Sequence, residues 1–185
     1  YRSSDHGSSW TQVKNGLPID QSLGNILAIN AMASAPNGTI FALTTGGLAR
    51  STNDGSSWEV VGGATVPTSI FSLAATASGK LFLAASNGLL QSDDNGASWT
   101  TLANKNGLNT SLSHVVTTDG GQTVLMSSYS GLWISTDEGG SWKVARVAHF
   151  NDEDQTIYMD SSAKYIYDGT KNNGIFISND KTISW

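Results

Sequence analysis

The feature that most constrains the fold is an eight-residue segment that occurs five times and always ends in tryptophan. Its copies span residues 3–10, 51–58, 92–99, 135–142 and 178–185. The third positions of consecutive copies lie 41 to 48 residues apart, and five of the six tryptophans occupy the eighth position. A fixed period of this length is typical of repeat architectures, in which each unit is one supersecondary element.

Short strand-like runs fill the chain between these segments, which we call boxes. A run that begins at glycine precedes each of the last four boxes, at residues 47–50, 88–91, 131–134 and 174–177. Two further apolar runs lie upstream in each unit, for example 69–75 and 81–85, split by a Ser-Gly-Lys turn. Runs rich in Ile, Val, Phe and Leu between Gly and Asn turns indicate strands, and no segment has a sustained helical period. Each unit therefore consists of strands A, B and C, a box, and a strand D that starts at the tryptophan.

Units of four antiparallel strands at this period predict an all-β fold, the β-propeller, with the box in each C–D hairpin. We expect one propeller segment over residues 1–185. It contains a C/D end at 1–14, blades at about 25–60, 69–102 and 111–147, and strands A to C of a further blade at 156–185. The first D strand could complete the last blade and close a ring of four. An incomplete arc of a six- to eight-bladed propeller is favoured, because ring closure would put two boxes on one blade.

The residues of the box suit a structural role in the C–D turn. The third-position aspartate can accept hydrogen bonds from backbone N–H groups, and the glycine two positions later can adopt a positive φ. The tryptophan can bury a large apolar face. Asn53 replaces the aspartate in the second box, and Thr182 replaces the glycine in the last. The residues expected to be structural are Asp5, Trp10, Asn53, Trp58, Asp94, Trp99, Asp137, Trp142, Asp180 and Trp185.

The boxes resemble the BNR or Asp-box repeat, Ser/Thr-x-Asp-x-Gly-x-Ser/Thr-Trp. This repeat is found in sialidases, xyloglucanase-type glycoside hydrolases, sortilin-type receptor propellers and photosystem II assembly factors. The resemblance covers the whole chain as repeat architecture. It implies that the boxes lie at the blade periphery, away from the central pocket where ligands bind.

The resemblance also sets requirements for an enzyme. A sialidase-like site would need an arginine triad, a Tyr–Glu nucleophile pair and an Arg-Ile-Pro motif, but Arg occurs only at positions 2, 50 and 146 and the motif does not occur. A xyloglucanase-like site would need two aspartates facing each other across a cleft, and no local context matches them. We therefore expect no catalytic residue within this segment.

Candidate binding residues lie on the loops that join D to A and B to C, which share one face of a propeller. The D-to-A loop at 148–155 contains His149, Asp152, Glu153 and Asp154. These groups could bind a hard cation or act as an acid/base pair. A solvated acidic loop is favoured, since no EF-hand spacing is present. Asp168, expected in the B-to-C loop 168–173, completes the predicted ligand-binding set, and no metal site or cofactor is predicted.

The composition excludes several classes of partner. Only 14% of residues are charged, the net charge is -5, and the few basic residues are scattered. This argues against nucleic acid and against an acidic membrane surface. There is no cysteine, which excludes disulfides and thiol catalysis. No apolar run is long enough to span a bilayer. Abundant Ser, Thr, Asn and Gly with little Lys favour an extracellular, cell-surface or periplasmic location.

These observations favour a non-catalytic binding or scaffold module of an exported protein, with a glycan or a protein as ligand. An alternative is part of a glycoside hydrolase, sialidase- or xyloglucanase-like, whose catalytic residues lie outside this segment. An assembly chaperone of the photosystem type is a third interpretation, made less attractive by the lack of an Arg-rich patch.

Overall fold

The computed structural model describes residues 1–67, 69–102, 112–117, 122–128, 131–147, 154–160, 164–179 and 184–185. The side chains of residues 146, 147, 154 and 155 are not described. Across these ranges the regular structure is fifteen β-strands and one short 3₁₀ turn at Gly63–Thr65. The all-β prediction is confirmed.

Each repeat unit forms one antiparallel sheet with its strands in chain order. Blade 1 contains β1 (Ile29–Ser34), β2 (Ile40–Thr44), β3 (Gly47–Ser51) and β4 (Glu59–Val61). Blade 2 contains β5 (Ile70–Ala75), β6 (Leu81–Ala85), β7 (Gly88–Ser92) and β8 (Thr100–Thr101). Blade 3 contains β9 (Leu112–Thr117), β10 (Val124–Ser128), β11 (Gly131–Ser135) and β12 (Lys143–Val147). Blade 4 contains β13 (Asp154–Met159), β14 (Ile166–Thr170) and β15 (Ile175–Ser178). These strands are A, B, C and D of the predicted β-propeller blades.

Most of the hydrophobic core of the described residues lies between blades, and one small cluster on the outer face of blade 1 joins Leu17 to Ala42 and Ala49. Phe41 and Leu43 of blade 1 pack with Leu83 of blade 2. Phe82 of blade 2 packs on Trp142 of blade 3, with ring centroids 6.2 Å apart in an edge-to-face arrangement. A third cluster joins blades 3 and 4. Each blade is therefore stabilised mainly by its neighbours, as in other repeat proteins.

The A strands of consecutive blades lie side by side. The hydroxyl of Ser72 in β5 donates a hydrogen bond to the Val115 carbonyl in β9, with an O···O distance of 3.1 Å. The hydroxyl of Thr117 in β9 donates to the Ala75 carbonyl in β5 at 2.7 Å. These contacts fix the spacing of the innermost strands, which border the propeller axis.

The two end faces of the described blades carry exposed apolar side chains. Met32 and Val60 on the outer face of blade 1 are 58% and 57% exposed, and Tyr158 and Ile175 of blade 4 are 63% and 71% exposed. The corresponding faces of the inner blades are buried against the next sheet. The end faces are therefore the same kind of surface as the inter-blade interfaces.

Two predicted loop positions lie in strands instead. Asp168 is in the middle of β14, opposite Ile157 of β13 and Phe176 of β15, and is fully buried. Asp154 begins β13 opposite Thr170. The loop prediction for Asp168 was wrong. A loop was expected because Asp and Gly in the sequence Tyr-Asp-Gly-Thr are typical of turns. Pairing with a strand on each side extends β14 through them.

Candidate functional site

The side chains of each box form a closed hydrogen-bond network, seen clearly in the third box. The Ser92 hydroxyl donates to Asp94 Oδ1 at 2.8 Å and accepts from the Gly96 N–H at 2.9 Å. Asp94 Oδ1 accepts from the Ser98 N–H at 2.8 Å, and Oδ2 accepts from the Ser98 hydroxyl at 2.5 Å. The Trp99 indole N–H donates to the Gly96 carbonyl at 3.0 Å. The carboxylate thus joins both ends of the turn.

This network repeats around Asp5 and Asp137. Hydrogen bonds from the serine hydroxyl and N–H at the seventh position, and from the first serine, lower the pKa of Asp5, Asp94 and Asp137 from 3.8 to about 2. A carboxylate that is ionised and already accepts several hydrogen bonds is poorly suited to donate a proton. The geometry supports a structural role for these aspartates.

A second backbone constraint in the box had not been predicted. The fourth position has a positive φ in every described box, at His6 (57°), Asp54 (55°), Asn95 (58°) and Glu138 (53°). Asn, Asp and His are the non-glycine residues most often found in this conformation, but Glu gives no such signal. The fifth-position glycines also have positive φ, as expected, for example 80° at Gly96. Two consecutive left-handed residues carry the fourth side chain toward the preceding blade.

The fourth and fifth positions of a box join it to the preceding blade, a contact that we call the inter-blade clasp. In the third box, the Asn95 amide donates to the Thr39 hydroxyl at 2.9 Å and accepts from the Asn37 amide at 3.2 Å. The Arg50 guanidinium donates to the Asn95 carbonyl at 2.6 Å. A Cβ added at Gly96 would lie 2.9 Å from the ring of Phe41. Glycine is therefore also required by close packing.

The fourth box makes the equivalent clasp with different chemistry. Glu138 accepts a hydrogen bond from the Ser78 hydroxyl at 3.1 Å, and its carbonyl accepts one from the Lys80 ammonium at 3.2 Å. A Cβ added at Gly139 would lie 2.6 Å from the ring of Phe82. The box therefore holds consecutive blades together in addition to fixing the C–D turn.

The candidate binding site is a cleft of about 540 Å³ where the A strands begin. Its lining comes from β1, β5 and β9 and comprises Asn30, Ile70, Phe71, Leu112, Ser113 and His114. The Phe71 side chain is 46% exposed, whereas its neighbour Ile70 is buried. The register of β5 with β6 shifts between Ile70 and Ser72, so Phe71 lies at a bulge in the strand. The cleft therefore combines an accessible aromatic ring with amide, hydroxyl and imidazole groups.

His114 contributes a neutral group to this cleft. Burial lowers the pKa of its imidazole, and its Nδ1 is buried without a hydrogen-bond partner among the described residues. Its backbone N–H donates to the Ser127 hydroxyl in β10 at 3.1 Å. Because the imidazole is uncharged at neutral pH, the cleft suits a neutral ligand better than an anionic one.

The sequence did not predict this cleft. His149, Asp152 and Glu153 lie outside the described residues, as does Asp180, and only the backbone of Asp154 is described. Asp168 is buried inside blade 4 and does not line the cleft. The predicted ligand-binding residues were all expected in loops, whereas the cleft is built at the starts of the A strands. The strand residues Ile70 and Phe71 gave no local signal of a site, because the cleft forms only where three separate A strands meet.

The β-propeller fold is shared with several solved structures. The chain is 19% identical to the xyloglucanase of glycoside hydrolase family 74 from Xanthomonas campestris, with a TM-score of 0.66, covering 86% of this chain and 30% of that one. An extracellular domain from B. thetaiotaomicron, of the putative one-component system BT4673, is 17% identical, with a TM-score of 0.64, covering 80% and 20%. YCF48 bound to a D1 peptide is 16% identical, with a TM-score of 0.66, covering 99% and 58%.

These similarities establish the fold, and the chain spans less than two thirds of each of these structures. No family model and no curated protein sequence matches the chain. No helix in the part of the chain that the structure describes is long and apolar enough to cross a membrane. Within the same residues, no three His, Asp or Glu side chains gather in a way that could hold a metal ion.

Proposed function

We propose that this chain is a non-catalytic β-propeller binding module of an exported or cell-surface protein. Its ligand is a glycan or a protein, bound in the cleft at the start of the A strands. The observation that carries this proposal is the 46% exposed Phe71 ring in a cleft of about 540 Å³. Clefts of this size that combine apolar and convergent polar groups are typical ligand sites.

The lining suits a neutral, partly apolar ligand. The Phe71 ring can pack on the apolar face of a sugar ring or on an apolar side chain of a protein. The Asn30 amide and the Ser113 hydroxyl lie in the same cleft and can donate and accept hydrogen bonds. These groups would fix the orientation of a ligand that the aromatic ring holds.

The similar structures are compatible with either class of ligand. One is a xyloglucanase, one is an extracellular domain, and one is a propeller bound to a peptide. Function depends on the site and not on the fold, so the choice between a glycan and a protein must come from binding experiments.

The test is to screen the purified chain against a glycan array and, separately, a library of unstructured peptides. We expect binding to members of one of the two pools. Phe71→Ala should weaken that binding at least tenfold, because the ring is the largest exposed apolar group in the cleft. Val144→Ala is the matched control, since Val144 is 49% exposed on β12 and does not line the cleft.

An assay for hydrolysis addresses the alternative, that the chain is part of a glycoside hydrolase. Xyloglucan and sialylated oligosaccharides are the substrates to use. Turnover that Phe71→Ala reduces would replace the proposal with an enzymatic function. Binding that Phe71→Ala leaves unchanged would contradict the cleft as the ligand site.

A further inference from the structure

Each of the four described A strands contains a β-bulge at its second residue. In β1 the register with β2 shifts between Ile29 and Ala31, so Asn30 has no partner residue in β2. Equivalent shifts leave Phe71 of β5, Ser113 of β9 and residue 155 of β13 without a partner residue in strand B. We call Asn30, Phe71 and Ser113 the bulge residues.

The bulges follow the position in the blade and not the residue type. The four residues concerned are Asn, Phe, Ser and Gln, which share no local preference that would break a strand. The first residue of each A strand pairs with the last residue of strand B. Each bulge therefore lies where the D-to-A and B-to-C loops meet. A bulge interrupts the ladder and re-aims a side chain, and bulges are frequent beside functional sites.

The three bulge residues meet in the A-strand cleft. Strand β5 lies between β1 and β9, so Phe71 stands between Asn30 and Ser113, and all three line the cleft. Asn30 is exposed, Ser113 is half-buried and Phe71 is 46% exposed. In contrast, Ile70 and Leu112, which precede two of the bulges, are buried. The cleft therefore has an aromatic ring at its centre, with an amide on one side and a hydroxyl on the other.

We propose that the three bulge residues determine which ligand the cleft binds, and that the bulges hold their side chains outside the strand pairing for this purpose. The inference rests on the proposed function and assigns its specificity to one residue from each of blades 1, 2 and 3. The ligand is neutral, with an apolar face for the Phe71 ring and hydrogen-bonding groups on both sides of that face. Asn30 and Ser113 read these flanking groups.

The first test exchanges the two polar bulge residues by combining Asn30→Ser with Ser113→Asn. The exchange keeps the groups of the cleft and reverses their order. Wild-type and exchanged chains are screened on one glycan array and one library of unstructured peptides. We expect the exchanged chain to bind a different set of members and to bind the best wild-type member at least tenfold more weakly. Asn15→Ser with Ser34→Asn, at two exposed residues outside the cleft, is the matched control and should keep the wild-type set.

The second test measures stability without a ligand. Deleting Phe71 lets Ile70 and Ser72 pair with consecutive residues of β6. Because the bulge serves the cleft and not the sheet, the deletion should lower the unfolding temperature by no more than a few degrees. Deleting Leu83 is the control. This residue is fully buried and paired on both sides, so its loss should shift the register and unfold the blade.

Three outcomes would overturn the proposal, and they have different meanings. An unchanged set of bound members in the exchanged chain would remove specificity from the bulge residues but leave the proposed function standing. Equal losses of stability from the two deletions would mean that the blade itself requires the bulge. A wild-type chain that binds no member of either pool would overturn the proposed function and this inference with it.

Discussion

At the scale of single residues, the third position of the box is defined by the hydrogen bonds that its side chain accepts. Asn53 shows this in the second box, where its Oδ1 accepts from the Ser57 N–H at 2.9 Å and its amide donates to the Ser57 hydroxyl at 2.8 Å. An amide thus reproduces the geometry that Asp94 gives to the third box. Shape and hydrogen bonding, rather than charge, hold the turn.

Substitutions at Asp94 test this account of the box. We expect Asp94→Ala to lower the unfolding temperature clearly, because it leaves the Ser98 N–H and the buried Ser92 hydroxyl without an acceptor. Asp94→Asn should lower it much less. Thermal unfolding followed by circular dichroism measures both, with Asp93→Ala as a control at an exposed neighbouring carboxylate. Equal losses from the Ala and Asn variants would contradict this account.

The box aspartates also predict how stability depends on pH. Because folding lowers their pKa from 3.8 to about 2, the unfolded chain takes up protons first as the pH falls. Their contribution is complete above pH 3.8 and is lost progressively toward about pH 2. A variant with Asn at positions 5, 94 and 137 should therefore lose less stability over this window. Urea unfolding at several pH values tests this, and an unchanged pH profile in the variant would contradict it.

At the scale of elements, the strands could be predicted closely and the clasp could not. The predicted run 81–85 is β6, Leu81–Ala85, and the D strands follow the tryptophans of the inner boxes. Alternating apolar residues and turn residues depend only on neighbouring positions in the chain, so the strands can be predicted from the sequence. The contact of Glu138 with Ser78, 60 residues away, depends on how two blades meet. The cleft also depends on how blades meet, because three separate A strands build it, and it could not be predicted from the sequence.

Two glycines with similar positive φ angles can separate the cost of local strain from the cost of inter-blade packing. Gly139 and Gly79 have φ of 84° and 89°, but a Cβ would meet Phe82 only at Gly139 and open space at Gly79. Gly79→Ala should cost about 1 kcal/mol through backbone strain. Gly139→Ala should cost a further 1–3 kcal/mol, roughly, through overpacking. Urea unfolding of both variants measures the difference, and equal costs would contradict close packing at the clasp.

At the scale of the whole molecule, stability is distributed over the interfaces between blades. Each interface has its own cluster of buried side chains, so a blade contributes both to the sheet before it and to the sheet after it. Blade 2 has a described neighbour on both faces, whereas blades 1 and 4 expose apolar side chains on one. The central blades are therefore expected to be the most stable part of the described fold.

Truncating one interface side chain tests this distribution. Phe82 is fully buried between blades 2 and 3, so Phe82→Ala should lower the free energy of unfolding by about 3–5 kcal/mol. Phe71→Ala should change it far less, because Phe71 is 46% exposed. Hydrogen exchange should show the loss of protection in β6 and β10 together. Loss confined to blade 2 would contradict coupling between the blades.

We propose that the boxes hold neighbouring blades together and that the cleft at the start of the A strands binds the ligand. The most direct measurement is a ¹H–¹⁵N NMR titration of the chain with the glycan or peptide that the binding screens select. We predict chemical-shift changes at Asn30, Phe71, Ser113 and His114, and none at Asp5, Asn53, Asp94 or Asp137. Changes centred on the box residues, with the cleft signals unmoved, would contradict the claim.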